Sequence, residues 1–241
     1  MSTPPLTVTA WLRWDVVERL LPVSSGRVLD IGAGGGSFGS LLAERYEYVG
    51  IEPDPVSYAK ASRRIGERGR VVNCSFEDFE PDGSFDLVCV FEVLEHVEDD
   101  AGAVRQWIRH LRPGGWLVVT VPQGRGRFGP GDERMGHFRR YDPTDLTGLM
   151  EAAGLRETRA VVFGSPWGNL QESLRNAVFR VRPSDEALAN RTAESGRFLH
   201  PPDWAAAASR LIALPLRHLQ RPLSRRGVGT SLVALGRRGE G

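Results

Sequence analysis

Within this 241-residue chain, Asp30 is followed by Ile31, Gly32, Ala33, Gly34, Gly35 and Gly36 at the point where an apolar run gives way to an amphipathic one. Glycines there permit positive φ and let the backbone approach a ligand closely. The helix that follows offers free N–H groups and the positive end of its dipole. Glu52 lies 20 residues beyond Gly32, where a carboxylate can accept hydrogen bonds from both hydroxyls of a ribose. Asp30 would sit badly beside a pyrophosphate but suits a ligand that carries a sulfonium and an ammonium group. A plainer role, Asp30 capping the turn through backbone N–H groups, competes with this.

Five histidines could move a proton near neutral pH: His96, His110, His137, His200 and His218. His137 is the best placed. It stands in Gly136-His137-Phe138-Arg139-Arg140-Tyr141, after a Gly- and Arg-rich stretch (124–136) that reads as a mobile loop. Arg139 and Arg140 could pair with an acidic substrate group, since guanidinium matches carboxylate and phosphate. Tyr141 and His96 are the other candidates for contact with a substrate. Anchoring of the loop to the domain is the competing role for His137 and Tyr141. His110, at a helix end, reads as structural.

The elements that must hold these residues follow from periodicity. Short apolar runs at 27–31, 48–51, 70–73, 85–91, 116–121 and 155–163 read as strands. Helical patterns at 36–45, 56–65, 101–111 and 144–153 separate them. Continuous apolar strands alternating with helices indicate a parallel sheet covered on both faces. Ligands of such sheets lie beyond the carboxyl ends of the strands, the side on which Gly32, Glu52, His96 and His137 fall. Hydrophobic residues make up 41% of the chain, enough for one sizeable core. The formal net charge of +1 gives no reason to expect nucleic acid. Cys74 and Cys89 show no CxxC spacing and read as core thiols. No run of about 18 apolar residues occurs, so a soluble, cytoplasmic protein without a membrane span is expected.

Taken together, these motifs resemble the class I S-adenosylmethionine-dependent methyltransferases. VLDIGAGGGSFG (28–39) resembles their first motif, and Gly50-Ile51-Glu52-Pro53-Asp54 their acidic second motif. Ser84-Phe85-Asp86-Leu87-Val88 with Glu92-Val93-Leu94-Glu95-His96-Val97 resembles their fourth-strand region. Leu111-Arg112-Pro113-Gly114-Gly115-Trp116-Leu117 resembles the turn into the fifth strand. The resemblance covers residues 25–163 and a last strand at 230–236. It implies a Rossmann-like α/β fold: a seven-stranded, mostly parallel sheet with helices on both faces and the last strand antiparallel between the fifth and sixth. It also implies S-adenosylmethionine as cofactor. Asp30, Gly32, Ala33 and Gly34 would hold its methionine half and ribose, and Glu52 the ribose hydroxyls. Pro53 would pack on the adenine, Ser75 and Phe76 would flank the adenine edge, and Phe91 would offer backbone near the amino group. Cys74 stands where many relatives carry an aspartate near the adenine; Glu77 or Asp78 is a possible substitute. In the ubiquinone-pathway O-methyltransferases a segment similar to Glu92, Glu95 and His96 has been linked to a divalent metal. The expectation here is no metal, with His96 lining the pocket.

The whole chain (1–241) reads as one domain: an N-terminal helical cap (1–24), the cofactor core (25–163), a helical insertion (164–228) and the final strand (229–237). Helices are expected at 165–182, 184–195 and 202–220. The insertion could serve as a lid over the acceptor, as a dimer interface, or as a contact with a membrane surface, since basic amphipathic helices do each of these. Trp11 and Trp14 mark the cap, which packs on the core or, as the resemblance implies, acts as a second lid over the cofactor. The expected reaction is O-methylation of a small molecule such as a sugar, a glycan or a secondary metabolite, with His137 as base. N-methylation of an amine, a nicotinamide-dependent oxidoreductase and a non-catalytic binding module are the alternatives.

Overall fold

A computed structural model of the chain describes residues 4–181 and 206–240. Seven strands form one sheet: β1 (Arg27–Ile31), β2 (Glu47–Ile51), β3 (Gly69–Val72), β4 (Phe85–Phe91), β5 (Leu111–Pro122), β6 (Leu155–Gly164) and β7 (Gly229–Arg238). Their order is β3-β2-β1-β4-β5-β7-β6. The first five are parallel, and β7 runs antiparallel to both β5 and β6. The expected antiparallel last strand, between the fifth and sixth, is therefore what the chain builds. The strand order reverses between β1 and β4, which opens a crevice at their carboxyl ends.

β4 shows why the sheet is covered on both faces. Phe85, Val88 and Val90 enter one apolar cluster, with Trp107, Leu146 and Met150. Leu87, Cys89 and Phe91 enter the other, with Val28, Tyr48, Val118 and Phe163. Both faces must be dry, so the strand has no polar alternation. Between the Phe85–Leu111 and Leu87–Trp116 pairs the register shifts, and the turn at 113–115 lies there. β5 accordingly starts at Leu111, earlier than the apolar run from Trp116 suggests.

The helices begin where the sequence punctuates. α1 (Val8–Leu20) is capped by Thr7, α3 (Pro55–Ile65) by the Asp54 carboxylate on Ser57 N–H at 2.9 Å, and α4 (Asp100–Arg109) by Asp99. α2 (Ser37–Leu42) leads out of the glycine turn, and α6 (Pro143–Ala152) starts on Pro143.

One expected loop is a helix. The stretch 124–136 forms a 3-10 turn at Arg125–Arg127 and then α5 (Pro130–Met135). Pro130 fits the first helical turn, the Asp132 carboxylate accepts from Gly129 N–H at 3.0 Å, and Gly136 closes the helix at φ 76°. The abundance of Gly and Arg hides these stop and start signals.

The insertion contributes α7 (Trp167–Val181) and α8 (Ala206–Arg225). α8 packs on α1: Gln220 Nε2 donates to Leu12 O at 3.0 Å, Ser209 Oγ to Leu6 O at 2.7 Å, and Arg221 pairs with Asp15 at 3.1 Å. Leu211, Ile212 and Leu219 on its other side are 66, 50 and 55% exposed. The expected helix at 184–195, His200 and Trp204 lie outside the described residues. Among the described residues no helix is long and apolar enough to cross a membrane.

Candidate active site

A cavity of about 550 Å³ opens at the carboxyl ends of β1, β2 and β4, within the range of small-molecule sites. Two differently built halves face each other across it.

The first half is the glycine turn with its carboxylates. Gly36, at φ 75°, lies so close to α3 that a Cβ would stand 2.8 Å from Ala61 Cα. Gly34, at φ 54°, has nothing within 4 Å of the corresponding position, so its face is open. Glu52 ends β2 and braces the turn: Gly34 N–H donates to Oε2 at 2.8 Å and Asp54 N–H to Oε1 at 2.9 Å. Burial raises its pKa, against the pull of those two N–H groups. Asp30 is 1% exposed at the end of β1. Among the described residues its side chain accepts from the Tyr48 hydroxyl at Oδ2, at 2.8 Å, and from no backbone N–H of the turn. Burial pushes its pKa up to about 7; the Tyr48 hydrogen bond opposes this and Glu52 adds to it. Pro53, Cys74, Ser75, Phe76 and Glu77 continue this wall. The Ser75 hydroxyl donates to Asp78 at 2.8 Å, which turns Asp78 to its neighbour, while Glu77 lines the cavity. Asn73 escaped sequence reading: its Nδ2 donates to the carbonyls of Glu52 and Pro53 and fixes that corner. Phe91 borders the cavity with its ring 5.1 Å from Phe38.

The second half is built from side chains distant in sequence. α1 contributes Arg13, the segment after β4 contributes Glu92, Glu95 and His96, α5 contributes Met135, and α7 contributes Gln171, Glu172 and Arg175; His137 and Arg140 follow α5. His137 is buried, and its Nδ1 lies 2.9 Å from Asp132 Oδ1. Asp132 is fully buried and also binds Arg140 (Nε to Oδ1 2.9 Å, Nη2 to Oδ2 2.8 Å). Burial alone would raise the Asp132 pKa, but the hydrogen bonds from His137 and Arg140 prevail and bring it down to about 2. An ionised acceptor at Nδ1 fixes the His137 tautomer with its proton there, so Nε2 keeps a lone pair. Nε2 is buried and has no hydrogen-bond partner among the described residues. The His96 ring meets the His137 ring edge-on at 4.7 Å, and burial, followed by His137, takes the His96 pKa down to about 4. Glu95 is 0% exposed with neither carboxyl oxygen partnered, and burial, then Glu92, raises its pKa well above the carboxylate range.

Glu95, His96 and His137 each present one ligand atom within 4.8 Å of the others, a donor set a divalent cation could use. Glu92, the first residue of the sequence phrase, lies elsewhere. It holds φ 56°, a conformation glutamate rarely adopts, and it accepts from Thr120 Oγ1 at 3.0 Å and pairs with Arg13 at 2.8 Å.

Most of the residues singled out in the sequence meet at this cavity: Asp30, Gly32, Ala33, Gly34, Glu52, Pro53, Ser75, Phe76, Phe91, His96, His137 and Arg140. Arg139 and Tyr141 are not among its lining, which corrects their reading as substrate contacts. Arg139 pairs with Asp100 at 2.7 Å and donates to Glu98 O, and the Tyr141 hydroxyl donates to the same Asp100 at 2.9 Å. Successive residues of an extended segment face opposite ways, so Arg140 turns inward where Arg139 cannot. Arg140 itself is saturated by Asp132 and Glu172. His110 sits against Phe79 at 5.7 Å, away from the cavity lining, as expected of a structural residue.

A family model described as a methyltransferase domain matches residues 10–159. The chain belongs to that family. It is 31% identical over 121 residues to a ubiquinone biosynthesis O-methyltransferase of Albidiferax ferrireducens, covering 46% of each chain. It is 33% identical over 161 residues to a probable S-adenosylmethionine-dependent methyltransferase of Mycolicibacterium smegmatis, covering 62% of this chain and 61% of that one. The methyltransferase thus aligns with only about half the length of these relatives. Its fold matches a solved structure from Thermotoga maritima, an S-adenosylmethionine-dependent methyltransferase and possible histamine N-methyltransferase. The TM-score is 0.58 at 20% identity, with 96% of this chain and 88% of that one covered. The residues present suit the family's cofactor: a buried carboxylate at Asp30 for cationic groups, a carboxylate at Glu52 for hydroxyls, and open space over Gly34 between them.

Proposed function

We propose that the protein transfers a methyl group from S-adenosylmethionine to a hydroxyl oxygen of a small acceptor. The observation that carries this reading is the Asp132–His137 pair on the cavity wall, with Nε2 unpartnered. An amine attacks as the neutral base and needs no such group; a hydroxyl becomes a good nucleophile only as its proton leaves. The name of the ubiquinone biosynthesis O-methyltransferase relatives supports oxygen as the methylated atom.

Asp30 would hold the charged methionine end of the cofactor, Gly32, Ala33 and Gly34 its ribose side, Glu52 the ribose hydroxyls, and Pro53, Ser75 and Phe76 the adenine. The cofactor, when bound, supplies an electrophilic methyl group. The chain's own residues then align the acceptor and handle its proton. His137 Nε2 takes the hydroxyl proton; Asp132 holds the ring in the tautomer that can do so and stabilises the imidazolium that results. Arg140 holds Asp132 ionised. α1 and α7 flank the cavity and shield it from water, which strengthens each of these interactions. The test is methyl transfer from labelled cofactor to a panel of hydroxyl and amine acceptors, with the methylated atom assigned by NMR. O-methyl product that disappears in His137→Ala supports the reading, and N-methyl product retained in that variant would reverse it.

A further inference from the structure

We infer that the acceptor carries an anionic group, carboxylate or phosphate, and that Arg175 on α7 is the residue that binds it. This deepens the function proposed above and rests on it. Arg13, Arg140 and Arg175 line this side of the cavity, and Arg127 reaches the lining residue Glu172 from outside it; three of the four have carboxylate partners: Arg13 has Glu92 at 2.8 Å, Arg127 has Glu172 at 3.0 Å, and Arg140 has Asp132 at 2.8 Å and Glu172 at 3.0 Å. Arg175 makes no ion pair among the described residues. Among the described residues its hydrogen bond is from Nη1 to the Met135 thioether at 3.2 Å, a weak acceptor. Its Nε is buried and unpartnered. Burial lowers the Arg175 pKa; Asp132, Glu172 and Glu92 oppose this and Arg140 adds to it.

The guanidinium is held in place rather than free to swing to solvent. It lies across α5 where Gly131 has no side chain: a Cβ there would stand 2.6 Å from Arg175 Nε. Met135, which Arg175 touches, is two residues before His137, and both line the cavity. A half-buried cation on the cavity wall, with its Nε buried and no carboxylate partner among the described residues, is costly to a fold and is expected where a ligand brings the counter-charge. Guanidinium binds carboxylate and phosphate in the same fork geometry, so the ligand's shared chemistry is a planar or tetrahedral oxyanion.

The test uses acetate and inorganic phosphate as probes on the protein saturated with S-adenosylhomocysteine, with chloride at matched ionic strength as control. Calorimetry is run on wild type, Arg175→Met and Arg175→Lys. One or both anions should bind wild type and be weakened about tenfold or more in Arg175→Met, the loss of one charge-assisted contact. Preference for phosphate would assign a phosphorylated acceptor, and preference for acetate a carboxylic one. Anions that bind neither protein, or both equally, would overturn the inference. S-adenosylhomocysteine titrated alone separates the two readings: binding retained in all three proteins leaves the methyltransferase reading standing even if the anion site fails. With an acceptor in hand, Arg175→Met should raise KM for its anionic form with kcat little changed.

Discussion

The two halves of the cavity are made by different means. The cofactor half is backbone and carboxylate: a glycine turn between β1 and α2, and Glu52 at the end of the neighbouring strand. Its glycine turn and Glu52 lie within one βαβ unit, and the segment after β3 and the end of β4 complete it, so short spacings record its centre. The acceptor half is a network of charged side chains from α1, α5, α7 and the segments after β4 and α5. Its central members, Asp132 and Glu172, meet through Arg140, and no local pattern relates them. A site that holds one invariant molecule can be written in a motif. A site that chooses its substrate is assembled from segments that vary in length and composition.

Breaking the acceptor half should give the largest effects. His137→Ala should lose about 10²–10⁴ in kcat, the usual worth of a positioned base, with cofactor affinity within about twofold. Steady-state kinetics on a hydroxyl acceptor check this, and retained turnover would move the base elsewhere.

Removing the centre of the network should instead appear as stability. Asp132→Ala takes from Arg140 one of its two carboxylate partners and leaves His137 Nδ1 without its acceptor, and a loss of about 3–5 kcal/mol is expected in denaturant unfolding. A change under about 1 kcal/mol would mean that the network is solvated.

The cofactor half behaves oppositely, because Asp30 is kept at a cost to the fold. Its folded pKa of about 7 lies above that of a free carboxyl. The folded chain therefore binds the extra proton across the window from about pH 4 to pH 7, and this group's contribution to stability falls as pH rises through that window. Asp30→Asn should raise Tm at about pH 8, leave it nearly unchanged at about pH 4, and weaken S-adenosylmethionine about tenfold or more. In wild type, affinity for S-adenosylmethionine should fall as pH drops below about 7, because protonation removes the anion. Thermal melts and calorimetry across pH decide both points; a variant that is destabilised at high pH would show that Asp30 is structural.

The smallest effect concerns the cluster of Glu95, His96 and His137. If His137 Nε2 serves as base, EDTA should leave turnover within about twofold. A large loss restored by magnesium would turn His137 into a ligand and sharpen the acceptor half into a metal site.

The legibility of the chain follows the same division. The strand pattern and the glycine turn were readable because burial on both faces and positive φ each leave local marks, whereas the antiparallel direction of the last strand came only from the family resemblance. α5 was not readable, since Gly129, Pro130, Asp132 and Gly136 are helix signals that look like loop composition. His137 could be picked out as a neutral-range group, but its partner Asp132 could not, because the turn of α5 that brings them together was hidden. Arg139 and Arg140 were indistinguishable until the extended backbone sent one to Asp100 and the other inward. Arg175 carries no signal in the sequence; only the unequal pairing of four arginines reveals it.

The division of the cavity is tested most directly by calorimetric titration of S-adenosylhomocysteine into wild type, Glu52→Ala and His137→Ala. Wild type should bind, Glu52→Ala should be weakened about tenfold or more, and His137→Ala should match wild type. No binding to wild type, or equal loss in both variants, would contradict the account.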